Sequence, residues 1–172
     1  MKRMLGVLAV VCVSAGCSVK PPPEGVEPVQ DFELKSYLGT WYEIARMDHS
    51  FERGMDQVKA EYSLNENGSV RVVNSGVLTA KDKKKSATGK AFFTGANDVG
   101  SLKVSFFGPF YGGYYIFDLD PEEYSLVASG TRDYLWILSR KKTLSAKRTQ
   151  QLMKKAAAAG YDTNALIWVR QK

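Results

Sequence analysis

Apolar and polar residues alternate along Val58-Lys59-Ala60-Glu61-Tyr62-Ser63-Leu64, the period of a strand with one wet face. Asn65-Glu66-Asn67-Gly68 then supplies turn chemistry, and the chain returns over Ser69 to Gly76, so the pair predicts a hairpin. Further strands are predicted at Ala87 to Thr94, Leu102 to Phe107, Gly113 to Asp118, Tyr124 to Ser129 and Tyr134 to Arg140, and the strand after Trp41 brings the count to eight. Thr143 or Ser145 can cap a helix running to Ala159, with Leu152, Met153 and Ala156 on one narrow apolar side and Gly160 placed for a left-handed stop. Ile167-Trp168-Val169 adds a short final strand at the edge. Regularly spaced strands joined by turns fit an up-and-down barrel or a sandwich, and periodicity alone does not choose between them.

Charges assign the faces, because an unpaired ionised group inside an apolar barrel is costly while outside it costs almost nothing. Lys59 and Glu61 outside turn Val58, Ala60 and Tyr62 inward; Arg71 outside turns in Val70, Val72 and Asn74. Lys90 does the same for Ala87, Gly89, Ala91 and Phe93, and Lys103 for Leu102, Val104 and Phe106. Counting back from Asp118 places Tyr115, Phe117 and, at the strand's approach, Tyr111 inside. If Trp41 points inward, Glu43 does too, against the charge rule; that conflict requires either a bulge or a buried partner for Glu43 such as Arg140.

The ends of the chain change the picture. Lys2 and Arg3, the apolar stretch Met4 to Val13 and the small residues Ser14-Ala15-Gly16 read as an export signal over residues 1 to 16, too short for a span of about 20 apolar residues. Small-Gly-Cys at Cys17 resembles a bacterial lipobox, although Ser14 stands where that pattern usually has Leu, Val or Ile. The resemblance implies an acylated Cys17, and Ser18 after it implies sorting to the outer membrane, facing the periplasm. Cys12 is discarded with the signal, so no disulfide is available to the mature chain. Its formal charge falls from +6 to +4, with 22 basic against 18 acidic residues, too modest for a phosphate-tracking groove. Residues 17 to 31 hold Pro21-Pro22-Pro23 and Pro28 and are expected to form an extended tether reaching on the order of 40 Å. Residues 32 to 172 are expected to form one domain.

Gly39-Thr40-Trp41-Tyr42-Glu43-Ile44-Ala45-Arg46 and the distant Thr131-Arg132-Asp133-Tyr134-Leu135-Trp136-Ile137-Leu138-Ser139-Arg140 suggest an indole low in a closed barrel, covered by a guanidinium from the last strand. Both runs resemble the signatures of the lipocalins, and Tyr37 to Gly54 with Lys103 to Gly113 resemble the bacterial outer-membrane lipocalins more narrowly. The resemblance implies an all-β, eight-stranded antiparallel up-and-down barrel with the C-terminal helix packed outside, and Gly39, Trp41 and Arg140 as its structural signature. Matching Arg140 to Trp41 at the base turns Leu138, Trp136 and Tyr134 inward.

Small Ala and Gly opposite large aromatics leave room for one ligand in an eight-stranded barrel, and an acyl chain of ten methylenes would gain ~8 kcal/mol gross on burial. The expected contacts are Val58, Ala60, Tyr62, Asn74, Ala87, Phe93, Phe106, Tyr111, Tyr115, Phe117 and Trp136, with a fatty acid or lysophospholipid as the lipid ligand. The membrane is the second partner, through the anchor; a homodimer is admitted, and nucleic acid is not expected. No cofactor or metal is expected, because His49 is the only histidine and the mature chain has no free thiol. Asp48-His49-Ser50 cannot form a relay when successive strand side chains alternate, and His49 is placed instead in a loop closing one barrel end beside Phe51. No catalytic residue is assigned. The alternatives are a small periplasmic enzyme acting on lipophilic substrates in the same barrel, or a structural envelope protein with a packed core. Lys81-Asp82-Lys83-Lys84-Lys85, at a hairpin tip, reads as a solvated loop or as a contact with anionic lipid heads.

Overall fold

The computed structural model describes residues 19–172; Cys17 and the export signal lie outside the described residues. A one-turn helix α1 (Leu34–Tyr37) leads into eight barrel strands: β1 (Gly39–Arg46), β2 (Met55–Leu64), β3 (Val70–Leu78), β4 (Lys83–Phe93), β5 (Ser101–Phe107), β6 (Phe110–Asp120), β7 (Tyr124–Ala128) and β8 (Leu135–Ser139). Helix α2 (Ala146–Ala158) and a two-residue strand β9 (Ile167–Trp168) complete the chain. Each strand pairs antiparallel with the next, and β1 pairs with both β2 and β8, so the sheet closes. Closure removes the sheet edges that a sandwich would leave, and β9 extends the pairing of β1 at Ala45 and Arg46.

The core divides into two. Inside the barrel Phe32, Tyr37, Trp41, Val70, Val72, Ala91, Leu102, Ile116 and Val127 pack together towards the base. Outside, α2 lays Leu152 and Ala156 on a wall of Phe117, Leu126, Ile137 and Ala45. Ser145 caps that helix, its hydroxyl accepting from the Arg148 N–H at 3.2 Å, and Gly160 ends it at φ +85°.

Bulges set which side chains enter the barrel. In β6 the register slips between Ile116 and Asp118, so Phe117 and Asp118 both face outward while Ile116 and Leu119 face in. Every residue before the bulge is therefore displaced by one from the parity counted back from Asp118. Tyr115 and Phe117 are corrected to the outer wall, beneath α2, and Tyr114 takes the interior place. The Tyr111 ring likewise turns outward, 6.2 Å from Phe92 and 5.2 Å from the Lys103 ammonium, while the residue still borders the barrel opening.

The proline-rich segment is not the free tether its composition suggested. Val26 is buried in the outer cluster, and Val29 is threaded between Ile116 and Gly100 by two backbone hydrogen bonds of 2.8 Å. Arg132 donates to the Glu24 carbonyl at 2.7 Å, and the Tyr115 hydroxyl donates to the Lys20 carbonyl. Two valines and bonded carbonyls hold residues 19–31 along the barrel wall, which a count of prolines does not reveal.

Candidate ligand-binding cavity

The base is built first. Trp41 is fully buried and donates its indole N–H to the Tyr37 carbonyl at 2.8 Å. The Arg140 guanidinium stacks over that indole at 3.8 Å and donates to the carbonyls of Ser36, Leu38, Thr40 and Pro121. Gly39 makes the turn into β1 at φ +94°, where a Cβ would stand 3.5 Å from Arg140 Nη1. Phe93, expected as a ligand contact, packs against Phe32 at 6.1 Å and forms part of this floor.

Above the floor lie two adjoining chambers that share wall residues. The lower, about 90 Å³, is walled by Val58, Ala60, Tyr62, Val72, Ala91 and Leu138 among others. The upper, about 510 Å³, is walled by Ala87, Phe106, Tyr114, Tyr134 and Trp136 and opens among the loops β1–β2, β3–β4, β5–β6 and β7–β8. Val58, Asn74, Phe106 and Trp136 line both, so six of the expected contacts meet the lower chamber (Val58, Ala60, Tyr62, Asn74, Phe106 and Trp136), and Ala87 and Tyr111 border the upper. The combined space falls in the size range of pockets that hold one small ligand, roughly 300 to 1,000 Å³.

Two polar features interrupt this lining. Tyr37, Tyr62 and Tyr114 join hydroxyls at 2.7 and 2.8 Å, and Ser125 extends the chain at 3.1 Å. Burial pushes the Tyr37 hydroxyl up to about 12 and those of Tyr62 and Tyr114 well above their ordinary value, so all three stay neutral and serve as hydrogen-bonding walls. The second feature is a buried ionic cluster at the neck. Glu43 accepts from Arg46 Nη1 at 2.7 Å, and Arg46 Nη2 donates to the Glu52 carbonyl at 2.6 Å. Glu52 accepts from the Trp136 indole at 3.1 Å, and its carboxylate stands 3.0 Å from His49 Nε2, off the line of a hydrogen bond.

The bulge between Glu43 and Ala45 resolves the conflict in β1. Ile44 and Ala45 both face the outer wall, so Arg46 enters the barrel three residues after Glu43 and pairs with it; Arg140 is not the partner. Burial, and then the nearby Glu52 charge, hold the Glu43 carboxyl well above its ordinary range despite that pairing. Burial also raises Glu52, but contact with His49 and the Trp136 hydrogen bond outweigh it and hold Glu52 below its usual range. The spacing Glu43, Arg46, His49, Glu52 carries no strand period, so parity could not have assembled this cluster.

His49 is folded into the mouth, 5.4 Å from Tyr134 and 5.3 Å from Trp136. Asp48 turns away to Arg53, 2.8 Å distant, and His49 Nδ1 has no nucleophilic partner. Among the described residues no three His, Cys, Asp or Glu side chains converge for a metal, and no helix is long and apolar enough to cross a membrane. Lys85, placed at a loop tip from sequence, belongs to the cavity wall near the rim, and buried Asn74 Oδ1 has no protein partner.

A closed barrel with a stacked Trp-Arg base, an apolar interior and a mouth at one end defines a small-molecule-binding barrel. The lipocalin-like domain model matches residues 32–171 of this chain. The chain is 49% identical over 173 residues to the outer membrane lipoprotein Blc of Citrobacter freundii, covering 98% of each, and 49% identical over 152 residues to Blc of Vibrio cholerae, covering 87% of this chain and 89% of that one. The chain thus belongs to the lipocalin family. Insecticyanin from the tobacco hornworm Manduca sexta shares the fold at a TM-score of 0.70 and 22% identity, over 90% of this chain and 88% of that one. Lobster apocrustacyanin A1 shares it at 0.66 and 18% identity, over 87% and 93%.

Proposed function

We propose that this lipocalin binds one amphipathic lipid, a fatty acid or lysophospholipid, and stores or transports it beside the outer membrane to which an acylated Cys17 ties it. The observation that carries the reading is the largely apolar cavity of about 510 Å³ adjoining a lower chamber of about 90 Å³ through shared wall residues, with a cation at its rim. The tail descends between Ala60, Val72 and Phe106, where each buried methylene contributes about 0.8 kcal/mol. The head stays near the mouth, because the neck already pairs its charges and a second carboxylate beside Glu52 would be repelled. Lys85 supplies the counter-charge, and the Asn74 side chain supplies a hydrogen-bonding group. Sequestration is the mechanism, and no bond is made or broken. The name of the bacterial relatives, outer membrane lipoprotein, supports the location.

Lysophospholipid titrated against Trp136 fluorescence is expected to saturate at one lipid per chain, with Lys85→Glu weakening anionic ligands and sparing an uncharged monoacylglycerol. Extraction of the purified protein with organic solvent, followed by mass spectrometry, should recover lipid. A chain that yields none and shows no saturable quenching overturns the reading in favour of a structural envelope protein.

A further inference from the structure

We infer that the barrel mouth is a membrane-docking surface that seats on an anionic lipid bilayer. Three of the five exposed large apolar side chains among the described residues ring the upper chamber: Phe51, Phe107 and Phe110, 67%, 69% and 79% exposed. An exposed aromatic cluster of this kind around a concave opening marks an interaction site rather than ordinary surface. Beside it stand Lys81 in the β3–β4 turn and Lys83 and Lys84 at the start of β4, all exposed, against the single acid Asp82 of that turn. At the opposite end the β2–β3, β4–β5 and β6–β7 turns carry Glu66, Asp98, Glu122 and Glu123, and the β8–α2 connection carries Arg140, Lys141 and Lys142, so acids and bases are mixed at the base while the lysines beside the phenylalanines are clustered. Lysines near an anionic surface each gain about 1 kcal/mol.

The path of the chain points the same way. Residues 19–31 run along the wall from the mouth towards the base: Lys20 lies against Gly130 in the β7–β8 loop, where a Cβ would stand 2.6 Å from the Lys20 Cβ, and Phe32 donates to the Asp98 carbonyl in the β4–β5 turn. Cys17 is three residues before Lys20 and so within about 11 Å of it along an extended chain. A lipid on Cys17 would thus be held at the phenylalanine and lysine end, and the docked segment would orient the barrel rather than leave it on a long leash. A lipid tail could then pass between bilayer and cavity without crossing water, a consequence that rests on the lipid-binding reading, whereas the docking itself does not.

The test uses the mature chain with Cys17→Ser, so that no acyl anchor contributes, and vesicles of phosphatidylethanolamine with phosphatidylglycerol against vesicles of phosphatidylcholine alone. Co-sedimentation is expected only with the anionic vesicles and is expected to fall about tenfold in Lys81→Glu/Lys83→Glu/Lys84→Glu. That variant keeps its lysophospholipid titration in solution, which separates failure of docking from failure of ligand binding. Phe51→Ser/Phe107→Ser/Phe110→Ser is expected to lose vesicle binding while melting as the parent does. Because the Cys17→Ser mature chain has no other cysteine, an environment-sensitive dye at Phe51→Cys should shift to the blue on anionic vesicles and one at Asn67→Cys, in the β2–β3 turn, should not. Equal binding to both vesicle types, a blue shift at the base, or phenylalanine variants that only dissolve a dimer without changing vesicle binding would each overturn the docking surface.

Discussion

The guanidinium of Arg140 lies 3.8 Å from the centre of the Trp41 indole and bonds four backbone carbonyls, so one side chain ties α1, the start of β1 and the β6–β7 turn into a floor. Charged hydrogen bonds of this kind contribute roughly 1.5 to 3 kcal/mol each when lost with their partner left buried, though not additively. Arg140→Ala is expected to destabilise the chain by about 3 kcal/mol in urea denaturation, and Arg140→Lys by about 2, since a lysine keeps the charge but cannot stack and fork together. A loss below about 0.5 kcal/mol in Arg140→Ala, the scale of an ordinary surface change, would show that the floor does not depend on this contact.

The Glu43 carboxyl gives stability a pH dependence of definite sign. Burial and the Glu52 charge raise it in the fold above its ordinary 4.5, so from 4.5 upward to its folded value the native state holds more protons than the unfolded one, and stability falls as pH rises through that window. Glu52 is lowered and acts in the opposite sense just below 4.5, its contribution being lost as pH falls. Glu43→Gln, which mimics the protonated form, is expected to flatten the decline above 4.5 in a series of melting curves. A profile as steep as that of the parent would contradict the assignment.

Tyr114 and Tyr115 are adjacent in β6 and do different things. Tyr114→Phe removes the hydroxyl that joins Tyr37 to Tyr62 and is expected to cost about 1 to 2 kcal/mol. Tyr115→Phe removes the donor to the Lys20 carbonyl, and its expected effect is faster proteolytic cleavage within residues 19–25 with the lipid titration unchanged. Equal protection from protease in the two variants would remove that role from Tyr115.

Ala60 faces a lower chamber of about 90 Å³, too small to hold both a tail end and a larger side chain. Ala60→Phe is expected to displace the deepest two methylenes and weaken long-chain lysolipids about tenfold relative to short-chain ones, at ~0.8 kcal/mol for each methylene. Uniform weakening across chain lengths would mean that the tail does not reach this depth.

Much of this molecule was legible from the alternation of its residues. Lys59 and Glu61 face outward and thereby assign Ala60 and Tyr62; Arg71, Lys90 and Lys103 do the same for Val70, Val72, Ala91, Leu102 and Val104, because these charges and neighbours lie on stretches of pleat outside the irregularities at Asp56–Lys59 and Val104–Phe107. Trp41 and Arg140 were legible as a pair from their motifs. Asp118 misassigned Tyr111, Tyr115 and Phe117 because a bulge intervened, and whether a strand takes an extra residue is decided by the twist and closure of the whole barrel rather than by local composition.

The charges and periods along the chain therefore settled the strands, the closed base and most of one wall, all properties of neighbours a few residues apart. Only the closed barrel could decide that a bulge swings Arg46 onto Glu43, that a loop folds His49 and Glu52 under Trp136, and that a proline-rich segment lies from mouth to base. Those contacts join residues whose spacing follows no period, and their energy exists only once the sheet has closed around them.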